Sequence, residues 1–356
     1  RARYTARADV RRARRGAKMP IPSHPFRRPY LRLGLGALCG ALGVLVGGLG
    51  TPPAGAQDTA SKPVEPPCMT ATLIIPWTAG GGTDMIARAV AAAVNKDGQK
   101  PPLRVRNIVG RNGIDGRAAL RAAAADGCHL GLVQPRMVGD FLTGRDLAPW
   151  QATVPVARLT ATALAVVGAS RGRASDHARM MDLLANGKVR AAVAPESQGD
   201  FLLRLIERDT GGRFLRVASD DGRQQLAFLR RGVADVAVVS LASADRLLGA
   251  GEGRVFAVTA KQLRPDMPGL EKLGVRGRFA IDRGIMAPPK TEGATIAWWA
   301  ERFEKALKDK ELQARLATFA TRPAFLGPEA YTRALEDLTA TWRPLARAGG
   351  IYRARE

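Results

Sequence analysis

From residue 71 onward, short apolar, β-branched runs alternate with stretches whose apolar positions recur every three or four residues. TATLIIPW, LRVRNIV, CHLGLVQP, TALAVVGA, VRAAVAP, FLRVAS, ADVAVVSL and RVFAVTA read as about eight strands. Between them TDMIARAVAAAVNKDG, GRAALRAAAADG, SDHARMMDLLANG, GDFLLRLIERDTGG and QQLAFLRRG read as helices. The C-terminal third reads as one long helix, ATIAWWAERFEKALKDKELQARLATFA, and a last one around PEAYTRALEDLTATWRPLARAG. This alternation predicts an α/β fold of mainly parallel sheets flanked by helices. So many strands over so long a stretch, with the Pro/Gly-rich break LRPDMPGLEKLGVRGRF before the C-terminal part, predict two lobes joined by crossing strands with a cleft between them.

The first 56 residues break this rhythm. Arg27, Arg28 and Arg32 precede an apolar, small-residue run ending at Gly50, and Ala54-Gly55-Ala56 offers a small-residue cleavage site. That layout predicts a signal peptide over residues 1–56, cut after Ala56, with residues 1–18 lying upstream of a start at Met19. The alternative is a membrane anchor, which the glycine-rich run suits poorly and which no stop-transfer charges follow. QDTASKPVEPPC then reads as a mobile leader over residues 57–70. The chain is expected in the periplasm. Its formal net charge of +23 shrinks accordingly, because residues 1–56 carry eleven Lys/Arg against one Asp. The remaining basic residues are scattered and aromatics are 5%, so nucleic acid is not expected as a partner. A mild field favouring anionic ligands is what the charge supports. No metal is expected: beyond the leader only His129 and His177 remain, without His or Cys at ligand spacing.

The chemistry begins at IIPWTAGGGTDMIARAV, residues 74–90. Three glycines between a strand and a helix let the backbone take positive φ and approach a ligand, with Thr83 or Asp84 as a helix cap. The free N–H groups of that helix start form an anion site at the carboxyl end of a strand. The Lys-Ser/Thr of a phosphate loop and the GxGxxG of a dinucleotide site are both absent. Alone, the loop is either a ligand loop or a tight structural turn. A second glycine cluster, NIVGRNGIDG at 107–116, again lies between strand and helix, and ADG at 125–127 precedes the third strand.

These segments, in this order, resemble the substrate-binding proteins of tripartite tricarboxylate transporters, the Bug family, which show a proline-glycine loop ending in Thr-Asp, an ENRPGAGG-like turn and PDGYTL. The resemblance continues through AVAPESQGDFL, QLAFLRRGVADVAVVSL, RVFAVTAKQLRPDMPGLEKLGV and GIMAPPKT, and covers about residues 72–351. It implies a two-lobe periplasmic binding protein with type 2 strand order, lobe one formed by residues 71–165 and 262–356 and lobe two by 166–261. It also implies a small ligand, usually a carboxylate, held largely by backbone N–H groups. Carried over, lobe one contributes Trp77, Thr78, Gly81, Gly82, Thr83, Asp84 and Gln134. Lobe two contributes the loop from Ala194 through Pro195, Glu196, Ser197, Gln198, Gly199 and Asp200, then Ser219, Asp220 and Ser240. No catalytic residue and no cofactor are implied.

The chain also departs from the pattern. Thr78 and Ala79 replace the two prolines, Cys128 replaces the tyrosine, and Val239 replaces an acid. Glu196 and Asp200 add two acids to the lobe-two loop, which would repel a carboxylate unless they turn away. A less acidic or zwitterionic ligand, with an amine near Glu196, is therefore expected beside the simple carboxylate. Plainer readings stand next to the functional ones. Asp84 either only caps its helix or caps and touches ligand, and Arg88 is explained by an i,i+4 pair with it. Trp298, Trp299 and Trp342 read as packing residues. Ser197 lacks the GxSxG elbow, and no His follows it. Cys68 just before the first strand and Cys128 at the start of the third would meet at one edge if those strands are parallel neighbours, allowing a disulfide in an exported chain.

The expectation is a non-catalytic, exported and monomeric binding protein for a small organic acid or amino-acid-like solute, serving the membrane subunits of a tripartite tricarboxylate-type transporter or a sensor. The alternatives are an exported α/β enzyme acting on a small anionic substrate in the same cleft, kept open by acid pairs such as Asp220-Asp221, and a basic protein binding nucleic acid or an anionic membrane.

Overall fold

A computed structural model describes residues 62–354, apart from Asp220, Gly277 and Arg278. The expected signal peptide lies outside the described residues. The first sheet collects β1 (Ala71–Ile75), β2 (Leu103–Asn107), β3 (His129–Val133), β4 (Val154–Thr162), β10 (Ile281–Ala287) and β11 (Thr321–Leu326), in the order β11-β4-β10-β3-β1-β2. The second collects β5 (Leu164–Ala169), β6 (Val189–Val193), β7 (Phe214–Ala218), β8 (Val236–Ser240) and β9 (Gly253–Val258), ordered β7-β6-β8-β5-β9. Each sheet thus places its second, first and third strands side by side, then a strand arriving from the other lobe, then its fourth. β1 pairs in parallel with β2 and β3, as β6 does with β7 and β8. The arriving strands β10 and β5 run antiparallel to both of their neighbours.

Three strands of the first sheet, β4, β10 and β11, are additional to the eight read from sequence. All lie on its antiparallel side, where polar or helix-breaking residues interrupt the apolar run: Pro155 and Arg158, Asp282 and Arg283, and Pro323. Pro323 is tolerated because β11 is an edge strand. The long C-terminal helix is two, α8 (Gly293–Leu307) and α9 (Lys310–Ala317), since Asp309 accepts the Leu312 N–H and restarts the helix.

Helices α1 (Gly82–Asn95) and α8 cover one face of the first sheet, with Trp299 and Phe303 wholly buried. The opposite face shares a core with lobe two, built from α3 (Arg136–Leu142), α5 (Gln198–Thr210) and α10 (Pro328–Ala348). There Trp342 of α10 stacks on Phe201 of α5, centroids 4.1 Å apart and planes 6° from parallel. No helix among the described residues is long and apolar enough to cross a membrane.

Within the expected leader, the described residues make contacts with the body of the fold from Val64 onward. The Val64 N–H donates to the Ala294 carbonyl, Pro66 is buried, and Cys68 is bonded to Cys128 with Cα atoms 6.0 Å apart. The bridge closes 60 residues of sequence containing α1 and two strands. Removing it with Cys68→Ser and Cys128→Ser is expected to lower unfolding free energy by about 2–4 kcal/mol, from the lost restraint on the unfolded chain. Denaturant unfolding of both forms measures this, and equal midpoints would contradict it.

Candidate functional site

β1 ends where Pro76 leaves the sheet, and residues 77–81 turn the chain into α1. Gly80 takes φ +78°, which a residue with a Cβ adopts only at a cost. The helix is amphipathic, burying Ile86, Ala87, Val90, Ala91 and Val94, but Gly81 is its N-cap and no side chain caps it. Asp84 does a different job from the one expected. From the first turn its carboxylate reaches back to the Gly80 N–H at 2.8 Å, and it also accepts from Arg88 Nε at 2.9 Å and Asn107 Nδ2 at 2.8 Å. Asn107 Nδ2 holds the Trp77 carbonyl as well, at 2.9 Å.

Asp84 is therefore an internal tie at 1% exposure, engaged with the loop rather than turned to the cleft. Burial alone would raise its pKa, but the bonds from Arg88, Asn107 and Gly80 outweigh it and hold the carboxyl below the ordinary 3.8. With the Gly80 and Gly81 N–H groups engaged inside the loop, those of Gly82, Thr83 and Asp84 find no acceptor among the described residues. The second glycine cluster stands behind the first: a Cβ on Gly116 would come within 2.7 Å of both the Ile108 carbonyl oxygen and Pro76 Cβ. It is a packing turn that supports the loop.

Lobe two repeats the arrangement. β6 ends at Val193, Ser197 accepts the Asp200 N–H as N-cap of α5, and Gly211 closes that helix at φ +73°. Glu196 sits at φ +58° with its N–H given to Asp200 Oδ2. The two added acids do not confront the cleft uncompensated. Glu196 pairs with Arg145 of lobe one at 2.8 Å. Asp200, 2% exposed, takes Arg216 at 2.8 Å and Arg204 at 3.3 Å. Expected repulsion of a carboxylate, and with it the reason to prefer an amine, falls away.

The loops meet at one chain of side chains. Gln134, just past β3, donates through Nε2 to Thr83 Oγ1 at 2.8 Å, and its Oε1 accepts from Gln198 Nε2 at 3.3 Å. Other predicted residues lie around this chain or apart from it. Trp77 is half-buried against the α1 core, Thr78 and Pro195 are exposed, Gly81 and Gly82 are exposed, and Gly199 is buried. Ser240 caps α7 (Leu241–Gly249) through its hydroxyl. Ser219 is buried with no partner for its Oγ, and Asp220 lies outside the described residues.

Sequence reasoning missed Arg283, at the start of β10. Its Nε and Nη2 both aim at Thr83 Oγ1, at 3.4 and 3.5 Å, while Nη1 donates to Thr162 Oγ1 at 2.5 Å. An arginine two residues ahead of an otherwise apolar run, IDRGIMA, was the available signal. A separate cavity of about 340 Å³ lies on the α10 side, between that helix and the crossing segments, lined by Thr162, Thr259, Asp282, Tyr331 and Trp342 among others. None of the described ligand-site residues predicted from sequence lines it.

Comparisons with known proteins agree with this architecture. No protein-family model matches the chain. A UPF0065 protein of Agrobacterium vitis is 25% identical over 278 residues, 75% of this chain and 79% of that protein. Protein BugT of Bordetella pertussis is 23% identical over 328 residues, covering 88% of this chain and 97% of BugT. The chain is thus similar to Bug proteins over most of its length. Solved structures place the chain in the two-lobe fold of periplasmic binding proteins. A TctC solute-binding protein from Polaromonas superposes with TM-score 0.68 at 20% identity, covering 78% of this chain and 98% of that one. MatC of Rhodopseudomonas palustris with bound malate gives 0.64 at 20%, with the same coverage of 78% and 98%. An R. palustris protein with adipate gives 0.67 at 24%, covering 80% and 98%.

Asp84 tests the loop's construction. Asp84→Asn is expected to cost about 1–3 kcal/mol near neutral pH, through loss of the charged acceptor. Because the folded pKa is depressed, that stabilisation is present above the unfolded value of 3.8 and is lost as pH falls through the folded one. The gap between wild type and variant should therefore close as pH drops below about 4. Urea midpoints from pH 7 to pH 2.5 measure it, and a gap constant with pH would contradict the assignment.

Proposed function

We propose that this chain is an exported, non-catalytic solute-binding protein that captures a small organic acid, or an amino-acid-like solute through its carboxylate, in the cleft between the lobes. One observation carries the reading: two helix starts, α1 and α5, face each other across the Thr83–Gln134–Gln198 chain. Three N–H groups at the first start have no acceptor among the described residues, and neither have those of Gln198 and Gly199 at the second. Such paired N–H groups suit the negative ends of a short acid.

The malate and adipate held by MatC and by the R. palustris relative in fold support this chemical class. So does the pairing of Glu196 and Asp200 with arginines, which compensates the two acids added to the lobe-two loop. A simple carboxylate, rather than a ligand chosen for its amine, is the first expectation. Closure follows from Gln134 and Gln198, whose mutual bond a bound solute would replace with bonds to itself. Delivery to membrane subunits of a tripartite tricarboxylate-type transporter, or to a sensor, is the role such capture serves.

A thermal-shift screen over mono-, di- and tricarboxylates and amino acids tests the reading. A cognate acid at one hundred times its Kd should stabilise the fold by about 2.7 kcal/mol. The same acid should be recovered chemically unchanged after prolonged incubation. Turnover of the acid, or a screen in which no acid stabilises the chain, would defeat the proposal.

A further inference from the structure

We propose that Arg283 is the anchor for one carboxylate of the captured solute, gripping it with the Nε–Nη2 edge of the guanidinium beneath the start of α1. The inference rests on the solute-binding reading and sharpens it by naming the group that selects a carboxylate.

Three arginines among the described residues are less than one-tenth exposed, and they differ in what they hold. Arg117, at 5%, donates to Asp140 and Asp146, so its charge is matched twice. Arg302, at 8%, spreads its donors over the carbonyls of Val94, Gln99, Lys100 and Pro101 at the far end of α1. Arg283, at 7%, has neither a carboxylate partner nor a ring of carbonyls; it has two threonine hydroxyls. An uncompensated buried charge costs several kcal/mol unless a counter-ion arrives. The desolvation shows in its pKa, pushed down to about 10, with Asp282 only partly opposing the shift. The guanidinium is still charged at neutral pH.

Geometry says which edge is spare. The parallel Nε–H and Nη2–H bonds form the fork that takes a planar carboxylate through both oxygens. In Arg283 both converge on one oxygen, Thr83 Oγ1, at 3.4 and 3.5 Å, beyond the usual 2.7–3.2 Å. Nη1 is separately pinned at Thr162, which fixes the plane. Thr162 in turn shares a 2.6 Å hydroxyl bond with Thr321 on β11. Opposite Arg283 in the β4–β10 register stands Thr160, fully buried, its Oγ1 without a partner. A break in that register falls between Arg283 and Gly284, and such bulges re-aim side chains next to binding sites. Thr83 joins this cation to the α1 start, where acceptor-free N–H groups lie alongside it. A carboxylate inserted there would replace one weakly held hydroxyl with two charged oxygens.

The test compares wild type with Arg283→Met, which keeps length and loses charge, and Arg283→Lys, which keeps charge and loses the fork. Binding is measured by calorimetry and thermal shift against malate, adipate, acetate, a short alkylsulfonate and inorganic phosphate. For a carboxylate that wild type binds, R283M should lose at least about 50-fold in affinity and R283K about 10-fold, as expected when a buried charge pair is broken or its fork removed. Unliganded R283M should melt no lower than wild type, since it sheds an unmatched charge. Equal affinity in wild type, R283M and R283K overturns the assignment and leaves the solute-binding reading standing, with Arg283 then a structural tie. Sulfonate or phosphate binding that disappears in R283M supports Arg283 as anion anchor while overturning its choice of carboxylate. Wild type that takes up no member of the panel overturns this assignment together with the reading beneath it.

Discussion

A single carboxylate, that of Asp84, organises the lobe-one face of the cleft. A glycine loop is free to adopt many shapes, and its N–H groups would ordinarily fold inward onto its own carbonyls. By taking the Gly80 N–H, Asp84 satisfies one of the loop's donors and ties the loop to the first turn of α1. By taking Asn107 it ties that loop to the end of β2, and through Asn107 to the Trp77 carbonyl. What remains unspent are the N–H groups at the start of α1, which find no acceptor among the described residues. Gly116, packed against Pro76, keeps the loop from sinking back. Preorganisation of this kind is how a backbone site avoids the ordering cost of loose loops.

Arginine placement governs the electrostatics of the cleft. Lobe two carries acids at its mouth, yet each has an arginine of its own, two from within the lobe for Asp200 and one from across the cleft for Glu196. The exposed pair contributes little to stability, because solvent screens it. The buried cluster around Asp200 instead fixes the position of the α5 start, since Asp200 also holds the Glu196 N–H. The charges of Glu196 and Asp200 are thus consumed in shaping the loops.

Much of this was legible in sequence, and the illegible parts share a cause. Strands such as LIIPW and VAVVS stand out because, buried on both faces, they are continuously apolar. β4, β10 and β11 escaped because Arg158, Arg283 and Pro323 interrupt them; their strand character comes from neighbours far along the chain. In the candidate site, the rule that ligands sit at strand carboxyl ends points to the loop around Thr83, while Gln134, Ser197 and Gln198 come from the family resemblance. The charge states did not follow. Glu196 looks unopposed until Arg145, 51 positions away, is folded beside it. Arg283 looks like any arginine until the fold shows that, among the described residues, no carboxylate comes within bonding distance of it and Asp282 opposes its desolvation only in part. A residue's partners can be read only after folding, whereas periodicity is written in the chain itself.

The Trp342–Phe201 stack has a mechanical consequence. It joins a lobe-one helix to a lobe-two helix, and Trp342 also lines the cavity beside the crossing segments at Thr162 and Thr259. The Arg145–Glu196 and Gln134–Gln198 contacts join the lobes too, but at the loops that rim the cleft. Flat aromatic faces can slide and tilt on one another at small cost, while a polar contact between side-chain tips breaks within an ångström or two. The stack can therefore serve as a bearing and the polar contacts as latches. Motion of one lobe against the other would part the polar contacts at the rim before it parted the stack.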